Sequence, residues 1–147
     1  MRATGRAVLA SEWPGAAMPR PGLISIVDDD QPFRESMRKL VALLGYAVEA
    51  FPSAASFLTS PLLAKTECLV TDVNMPDMTG PELHAFLTNA GRKIPTILVT
   101  AYPDEVVRTR ALASGVICYL CKPVDDDQLE RCLRSAIGSE GTPEEHS

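Results

Sequence analysis

The feature that most constrains this chain is the order of its apolar segments, since strand-like and helix-like patterns alternate five times between Leu23 and Ile137. Short apolar runs bounded by turn residues predict buried strands, whereas apolar residues recurring every three or four positions predict helices. Such alternation is typical of a parallel sheet with helices on both faces. We therefore expect an α/β fold with a doubly wound, five-stranded parallel sheet and five helices.

The sequence also predicts where these elements lie. The expected strands are Leu23–Val27, Ala47–Phe51, Cys68–Thr71, Pro95–Thr100 and Val116–Leu120. A weak helix is predicted at about Ser53–Ala64. The clearest helix start is Thr79, because Glu82 stands three residues later at capping-box spacing.

Size and charge limit what the chain can be. Its 147 residues, 46% hydrophobic and 22% charged, suit one globular domain. We assign residues 1–20 to a disordered N-terminal arm, 21–137 to the folded domain and 138–147 to a flexible acidic tail. The net charge of −5 argues against direct DNA binding, and no apolar run approaches the roughly 20 residues that span a bilayer. We expect a cytoplasmic protein without membrane contact.

The four cysteines lie in apolar contexts, where a small thiol packs well: Cys68, Cys118, Cys121 and Cys132. Cys118 and Cys121 form a C-x-x-C motif, but an offset of three along a strand sends side chains to opposite faces. We therefore expect buried thiols rather than a metal site or a disulfide, which suits a reducing cytoplasm.

Polar side chains follow the predicted strands where each strand ends. Asp28 and Asp29 follow the first strand, Asp72 follows the third, Thr100 ends the fourth and Lys122 comes after the fifth. In a doubly wound sheet, functional residues gather at the carboxyl ends of the strands. We therefore expect three carboxylates, a hydroxyl and an amine to converge on one crevice.

This combination favours phosphoryl-transfer chemistry. Three adjacent carboxylates repel one another, and a hard divalent cation relieves the repulsion. Few oxygen ligands with room for water and a phosphoryl group suit Mg²⁺ better than Zn²⁺. Lys122 can neutralise an anionic ligand and pair with Asp72, and Thr100 can donate its hydroxyl to a further oxygen. A carboxylate nucleophile, a metal and surrounding cationic and hydroxyl groups are what phosphoryl transfer requires.

On these residues the chain resembles the receiver domain of two-component response regulators, close to the nitrogen-fixation type in the wording of residues 70–80. The resemblance covers Leu23 to Ile137 and implies a flavodoxin-like receiver fold with strand order 2-1-3-4-5. It rests on five separated features in order: Val27-Asp28-Asp29, Asp72 with Met75-Pro76, Thr79-Gly80, Thr100-Ala101 and Lys122-Pro123.

The resemblance also implies a partner and a metal site. Asp72 would accept a phosphoryl group from a sensor histidine kinase or a histidine phosphotransfer protein. Asp29 would bind Mg²⁺ directly and Asp28 mainly through water, with Asp72 and the main-chain carbonyl of Asn74 as further ligands. The domain would catalyse only its own phosphorylation and dephosphorylation, and would not otherwise be an enzyme.

The resemblance further implies how phosphorylation is read. Thr100 and Lys122 would hold the phosphoryl oxygens, while Ala101 keeps the approach to them small. Tyr119 occupies the aromatic switch position, and Lys122-Pro123 is where receivers carry a cis peptide. The changed face formed by the fourth helix, fifth strand and fifth helix would dock a downstream protein target, and a phosphorylation-dependent homodimer stays open. Because the chain ends about ten residues after its last helix, we expect a stand-alone receiver.

Three alternative functions remain open. A Mg²⁺-dependent aspartyl-phosphate phosphatase or phosphotransferase would need a second acid where Asn74 stands. A flavin-binding domain of the same topology would need a phosphate loop, yet the acidic run Asp28-Asp29-Asp30-Gln31 would repel a phosphate without Mg²⁺. The third alternative is a binding module that works without phosphorylation.

Overall fold

The computed structural model describes residues 20–137, in which a five-stranded parallel sheet carries helices on both faces. The strands are β1 (Arg20–Val27), β2 (Tyr46–Phe51), β3 (Thr66–Asp72), β4 (Thr96–Thr100) and β5 (Cys118–Cys121). The helices are α1 (Gln31–Leu43), α2 (Ala54–Leu58), α3 (Gly80–Asn89), α4 (Glu105–Ala113) and α5 (Asp126–Ala136).

The sheet order is β2-β1-β3-β4-β5, and all neighbouring strands pair in parallel. The predicted fold class and strand order are therefore confirmed. Within the described range, no helix is both long and apolar enough to cross a bilayer. The predicted tail, and the predicted arm up to Pro19, lie outside the described residues.

Apolar side chains cover both faces of the sheet because successive strand residues point to opposite sides. On one face, Ile26 and Val70 are buried with residues of α1 and α5. On the other face, Leu69 packs with α2 and α3, and Leu98 packs with α4. The central strands β1, β3 and β4 are thus largely buried on both sides, and their carboxyl ends bring polar groups to one edge of the sheet.

The predicted helix at Ser53–Ala64 is wrong in its extent. It is divided into the short helix α2 and a 3-10 turn at Pro61–Lys65. Pro61 has no amide hydrogen to continue the helix, and a proline disfavours helical geometry at the residue before it. The Ser60 hydroxyl instead accepts a hydrogen bond from the Leu62 amide and starts the separate turn.

The prediction that all four cysteines are buried thiols is also wrong. Cys68 is a buried thiol, but Cys121 is exposed, and Cys118 is joined to Cys132 by a disulfide. Cys118 of β5 and Cys132 of α5 pack in the same apolar cluster, so two residues far apart in sequence become neighbours. As expected, Cys118 and Cys121 are not bonded to each other.

The start of α3 is fixed against the end of β3. The predicted capping box is confirmed, since the Thr79 hydroxyl accepts from the Glu82 amide at 3.1 Å and the Glu82 carboxylate accepts from the Thr79 amide at 2.9 Å. A Cβ at Gly80 would lie 2.6 Å from the carbonyl oxygen of Asp72 and 2.9 Å from Leu98 Cδ2. Only glycine therefore allows α3 to begin this close to Asp72.

Replacing Gly80 with alanine tests this contact. Alanine is ordinarily better than glycine inside a helix by about 1 kcal/mol. We nevertheless expect Gly80→Ala to lower the free energy of unfolding by about 1–3 kcal/mol, because backbone must shift to admit the methyl group. Urea denaturation measures the change. Thr88→Ala, at an exposed position of the same helix, serves as the control and should change stability by less than about 0.5 kcal/mol. Equal or greater stability of Gly80→Ala would contradict the close contact.

Candidate functional site

Three carboxylates meet at the carboxyl edge of the sheet. Asp28 follows β1, and Asp72 is the last residue of the neighbouring strand β3. One oxygen from each of Asp28, Asp29 and Asp72 lies within 4.8 Å of the other two. Asp28 and Asp72 are buried, whereas Asp29 is exposed. The structure thus brings together the three acids that the sequence singled out.

Lys122 enters this cluster from the end of β5. Its ammonium lies 3.0 Å from Asp28 Oδ2 and 3.4 Å from Asp72 Oδ1, and the side chain is only 16% exposed. The Lys122 amide donates to the Thr100 carbonyl at 2.8 Å, which fixes the backbone from which the side chain extends. The peptide bond from Lys122 to Pro123 is cis, as the resemblance implied. Lys122 therefore bridges two of the three acids.

The loop that carries Asp28 is held by hydrogen bonds on several sides. The Asp28 amide donates to the Phe51 carbonyl at 3.1 Å. Its Oδ1 atom accepts from the Asp30 amide at 2.9 Å, and its carbonyl accepts from Arg34 Nη1 at 2.7 Å. The Asp28 carboxylate is therefore positioned before any ligand arrives.

Burial and like charge alter the ionisation of the cluster. Burial raises the pKa of Asp72 to about 6, with the negative charge of Asp28 adding to the rise and Lys122 opposing it. Burial alone would lower the pKa of Lys122, but its hydrogen bonds and ion pairs with Asp28 and Asp72 outweigh this and raise its pKa. The Lys122 ammonium therefore stays charged beside Asp72.

The donor set fits a hard divalent cation. Three negative charges against one positive charge on Lys122 leave two uncompensated negative charges when every group is ionised. The buried Oδ2 atom of Asp28 accepts no hydrogen bond of good geometry from the described residues, and the Lys122 ammonium is its ion-pair partner. Oxygen donors alone, one of them exposed, match the preference of Mg²⁺ for carboxylates and retained water.

The remaining predicted site residues lie around this edge in different settings. Thr100 ends β4, is fully buried, and its hydroxyl accepts from the Tyr102 amide at 3.0 Å. Ala101 is exposed beside it, and Asn74 is exposed in the loop after Asp72. The role of the Asn74 carbonyl as a metal ligand stays a prediction.

Tyr119 lies on the α4 side of the sheet, away from Lys122's carboxylate partners. Its ring packs against a cluster that contains Leu98 and Ala111. Its hydroxyl accepts a hydrogen bond from the Asp104 amide at 3.0 Å, just before α4. Asp104 in turn caps α4 through its own carboxylate. The ring therefore connects β5 to the start of α4.

Sequence reasoning missed two contributors to the site. The Lys122 ammonium lies 4.1 Å from the centre of the Phe33 ring, a cation–π distance. Arg34 holds the Asp28 carbonyl. The available signal was their position in the first turn of α1, directly after the acidic loop, where side chains can reach back to the strand ends.

The raised pKa of Asp72 gives a stability prediction for the metal-free protein. Because the pKa is higher in the folded state, folding binds a proton, and stability falls as pH rises from about 4 to about 7. We expect Asp72→Asn to be more stable than wild type by about 1–3 kcal/mol at pH 7, with the difference lost below about pH 4. Denaturation curves across this pH range in a metal chelator provide the measurement.

Asp30→Asn is the matched control, since Asp30 is an exposed acid beside the same cluster. It should leave the pH dependence of stability unchanged. Adding Mg²⁺ should stabilise wild type more than Asp72→Asn, since ligand binding to the folded state adds stability. A lower stability of Asp72→Asn at pH 7 would show that burial of the Asp72 charge and its repulsion by Asp28 do not outweigh its attraction to Lys122.

Comparisons with known proteins agree with this geometry. The family model for the response regulator receiver domain matches residues 24–134. Response regulator protein TodT of Pseudomonas putida is 32% identical over 118 residues, covering 80% of this chain and 52% of the relative. Transcriptional regulatory protein FixJ of Rhizobium meliloti is 32% identical over 121 residues, covering 80% and 59%. The chain thus spans about half the length of the curated relatives it matches.

Solved structures are similar as well. The crystal structure of FixJ-N superposes on this chain with a TM-score of 0.72 and 31% sequence identity, and the match covers 80% of this chain and 94% of that chain. The signal receiver domain of an HD domain-containing protein from Pseudomonas fluorescens Pf-5 has a TM-score of 0.74 and 28% identity, with 84% and 99% covered.

Proposed function

Since this chain belongs to the response regulator receiver domain family, we propose that it takes a phosphoryl group onto Asp72 from a phosphohistidine. The donor would be a sensor histidine kinase or a histidine phosphotransfer protein. The observation that carries the proposal is the convergence of three acids with Lys122. Of the acids, Asp28 and Asp72 are buried and Asp29 is exposed to solvent.

The side chains divide the work of the transfer. A carboxylate oxygen of Asp72 attacks phosphorus, and the bond from phosphorus to the histidine nitrogen breaks as the new oxygen–phosphorus bond forms. Lys122 neutralises charge on the transferred oxygens. The Thr100 hydroxyl, which accepts from the Tyr102 amide, keeps its own proton for donation to another of these oxygens.

Asp28, Asp29, Asp72 and the Asn74 carbonyl would hold Mg²⁺. The bound cation would offset the negative charge that otherwise keeps a phosphoryl group away from the three acids. With its pKa at about 6, Asp72 is mostly ionised at neutral pH and can act as the nucleophile.

Phosphorylation would then be read on the α4–β5–α5 face, which we define as the surface formed by α4, β5 and α5. Movement of Thr100 toward the phosphoryl group would open space for the Tyr119 ring, which would leave the Asp104 amide. The changed face would dock a downstream protein target or a second copy of the domain. We place the protein in the cytoplasm, with no activity on other molecules.

Phosphorylation of the purified chain tests this function. Incubation with Mg²⁺ and acetyl phosphate should add the mass of one phosphoryl group to wild type and to Asp30→Asn, but not to Asp72→Asn. Omitting Mg²⁺ should abolish the addition. An unchanged wild-type mass would favour the phosphorylation-independent binding module, and steady hydrolysis of an added phosphate ester would favour the phosphatase.

The contact between Phe33 and Lys122 gives a second prediction. A partly buried cation–π contact contributes about 0.5–2 kcal/mol, so loss of the ring should slow phosphorylation by roughly threefold to tenfold because Lys122 is less well held. We expect this effect in Phe33→Leu, measured as the initial rate of mass increase with acetyl phosphate. Phe33→Tyr keeps an aromatic face and should react at nearly the wild-type rate. Equal rates for the two variants would show that the Phe33 ring does not support Lys122 in phosphorylation.

A further inference from the structure

A disulfide crosses the face that the phosphorylation site is proposed to control. It joins Cys118 at the start of β5 to Cys132 of α5, with their Cα atoms 6.3 Å apart. The covalent ring closed by this bond contains Tyr119, Lys122 and the first half of α5. The chain from Cys118 to Cys132, which carries both Lys122 of the acidic cluster and Tyr119, is therefore closed into a covalent loop.

Of the two bonded cysteines, Cys118 is the more exposed residue. Cys118 is half-buried and lines a groove of about 380 Å³, together with Cys132, Tyr119 and two arginines, Arg108 and Arg131. Cys132 itself is only 6% exposed. The guanidinium of Arg131 favours approach of an anionic thiolate, whereas Arg108 is paired with Glu105 at 3.0 Å. An attacking thiol thus reaches Cys118 first, and the buried Cys132 is the sulfur that leaves.

We propose that Cys118 and Cys132 form a reversible redox modification site that takes a dithiol protein as reductant and a low-molecular-weight disulfide as oxidant. For reduction, a thiolate of the dithiol attacks the Cys118 sulfur, the bond to Cys132 breaks, and Cys132 takes up a proton. The second thiol of the reductant then attacks the mixed disulfide and releases Cys118 as a thiol. Two electrons and two protons pass to this chain, and the reductant becomes a disulfide.

The surroundings of this disulfide favour reversible oxidation over a permanent structural bond. Disulfides in a reducing cytoplasm are usually transient and redox-sensing. This pair lies at the border between the apolar core and a groove that opens on the α4–β5–α5 face. In the oxidised state the crosslink restrains movement of β5 relative to α5. The effect on signalling and the cytoplasmic setting rest on the proposed function, whereas the thiol–disulfide exchange itself does not.

Counting alkylated thiols tests the site directly. We would use the full chain carrying Cys121→Ser, so that the exposed thiol does not interfere. This chain retains three of the four cysteines. After equilibration with oxidised glutathione, the sample is quenched with acid, freed of glutathione, unfolded and alkylated with iodoacetamide at mildly alkaline pH, where thiols form thiolates. Mass spectrometry should then show one adduct, on Cys68. After treatment of the folded protein with thioredoxin, it should show three.

A chain carrying Cys118→Ser and Cys121→Ser is the matched control. It should show the same mass pattern for Cys68 in both conditions and no thioredoxin-dependent crosslink loss within the chain. Three adducts in the parent after oxidation, or a disulfide that thioredoxin cannot reduce in the folded protein, would overturn the proposal.

Hydrogen exchange measures the physical consequence without any phosphodonor. Amides of residues 119–131 should exchange more slowly in the oxidised parent than in the reduced parent, and the control chain should match the reduced parent in both conditions. Equal exchange in both states would refute the restraint. Failure of Asp72 to accept a phosphoryl group would refute the proposed function alone, since neither the adduct count nor the exchange rate requires phosphorylation.

Discussion

The repulsion among Asp28, Asp29 and Asp72 is the constraint on which the rest of this structure depends. The three acids are brought within 4.8 Å of one another by two neighbouring parallel strands, and Lys122 offsets only part of their charge. A folded protein keeps such a cluster only where packing elsewhere outweighs it. Here apolar clusters cover both faces of the sheet, and the Asp28 loop is held by hydrogen bonds from the Asp30 amide and the Arg34 guanidinium.

Much of the fold follows from patterns visible in the sequence. Parallel strands buried on both faces read as continuous apolar runs, so the strands ending at Val27 and Asp72 could be recognised directly. Thr79 and Glu82 predicted the start of α3 because the two residues of a capping box have a fixed spacing. The acidic cluster followed from topology, since the carboxyl ends of parallel strands share one edge of the sheet.

The sequence could not supply what depends on packing between distant residues. The disulfide joins residues 14 positions apart, and nothing in their spacing separates this pairing from buried thiols. The contact of Phe33 with Lys122 had only a weak sequence signal, its position in the first turn of α1, because an aromatic residue at helical spacing is also typical of core. Pro61 indicated that the predicted helix Ser53–Ala64 would be divided, but the apolar residues on either side of it favoured one continuous helix.

Asp104 occupies two hydrogen-bonding roles at once. Its carboxylate accepts from the amides of Val106 and Val107, while its own amide donates to the Tyr119 hydroxyl. The aromatic side chain is thus one of the groups that anchor the leading turn of α4. Any departure of the ring strips an acceptor from that amide, which water must then replace, so repacking in the interior is converted into hydration and fraying at a helix end.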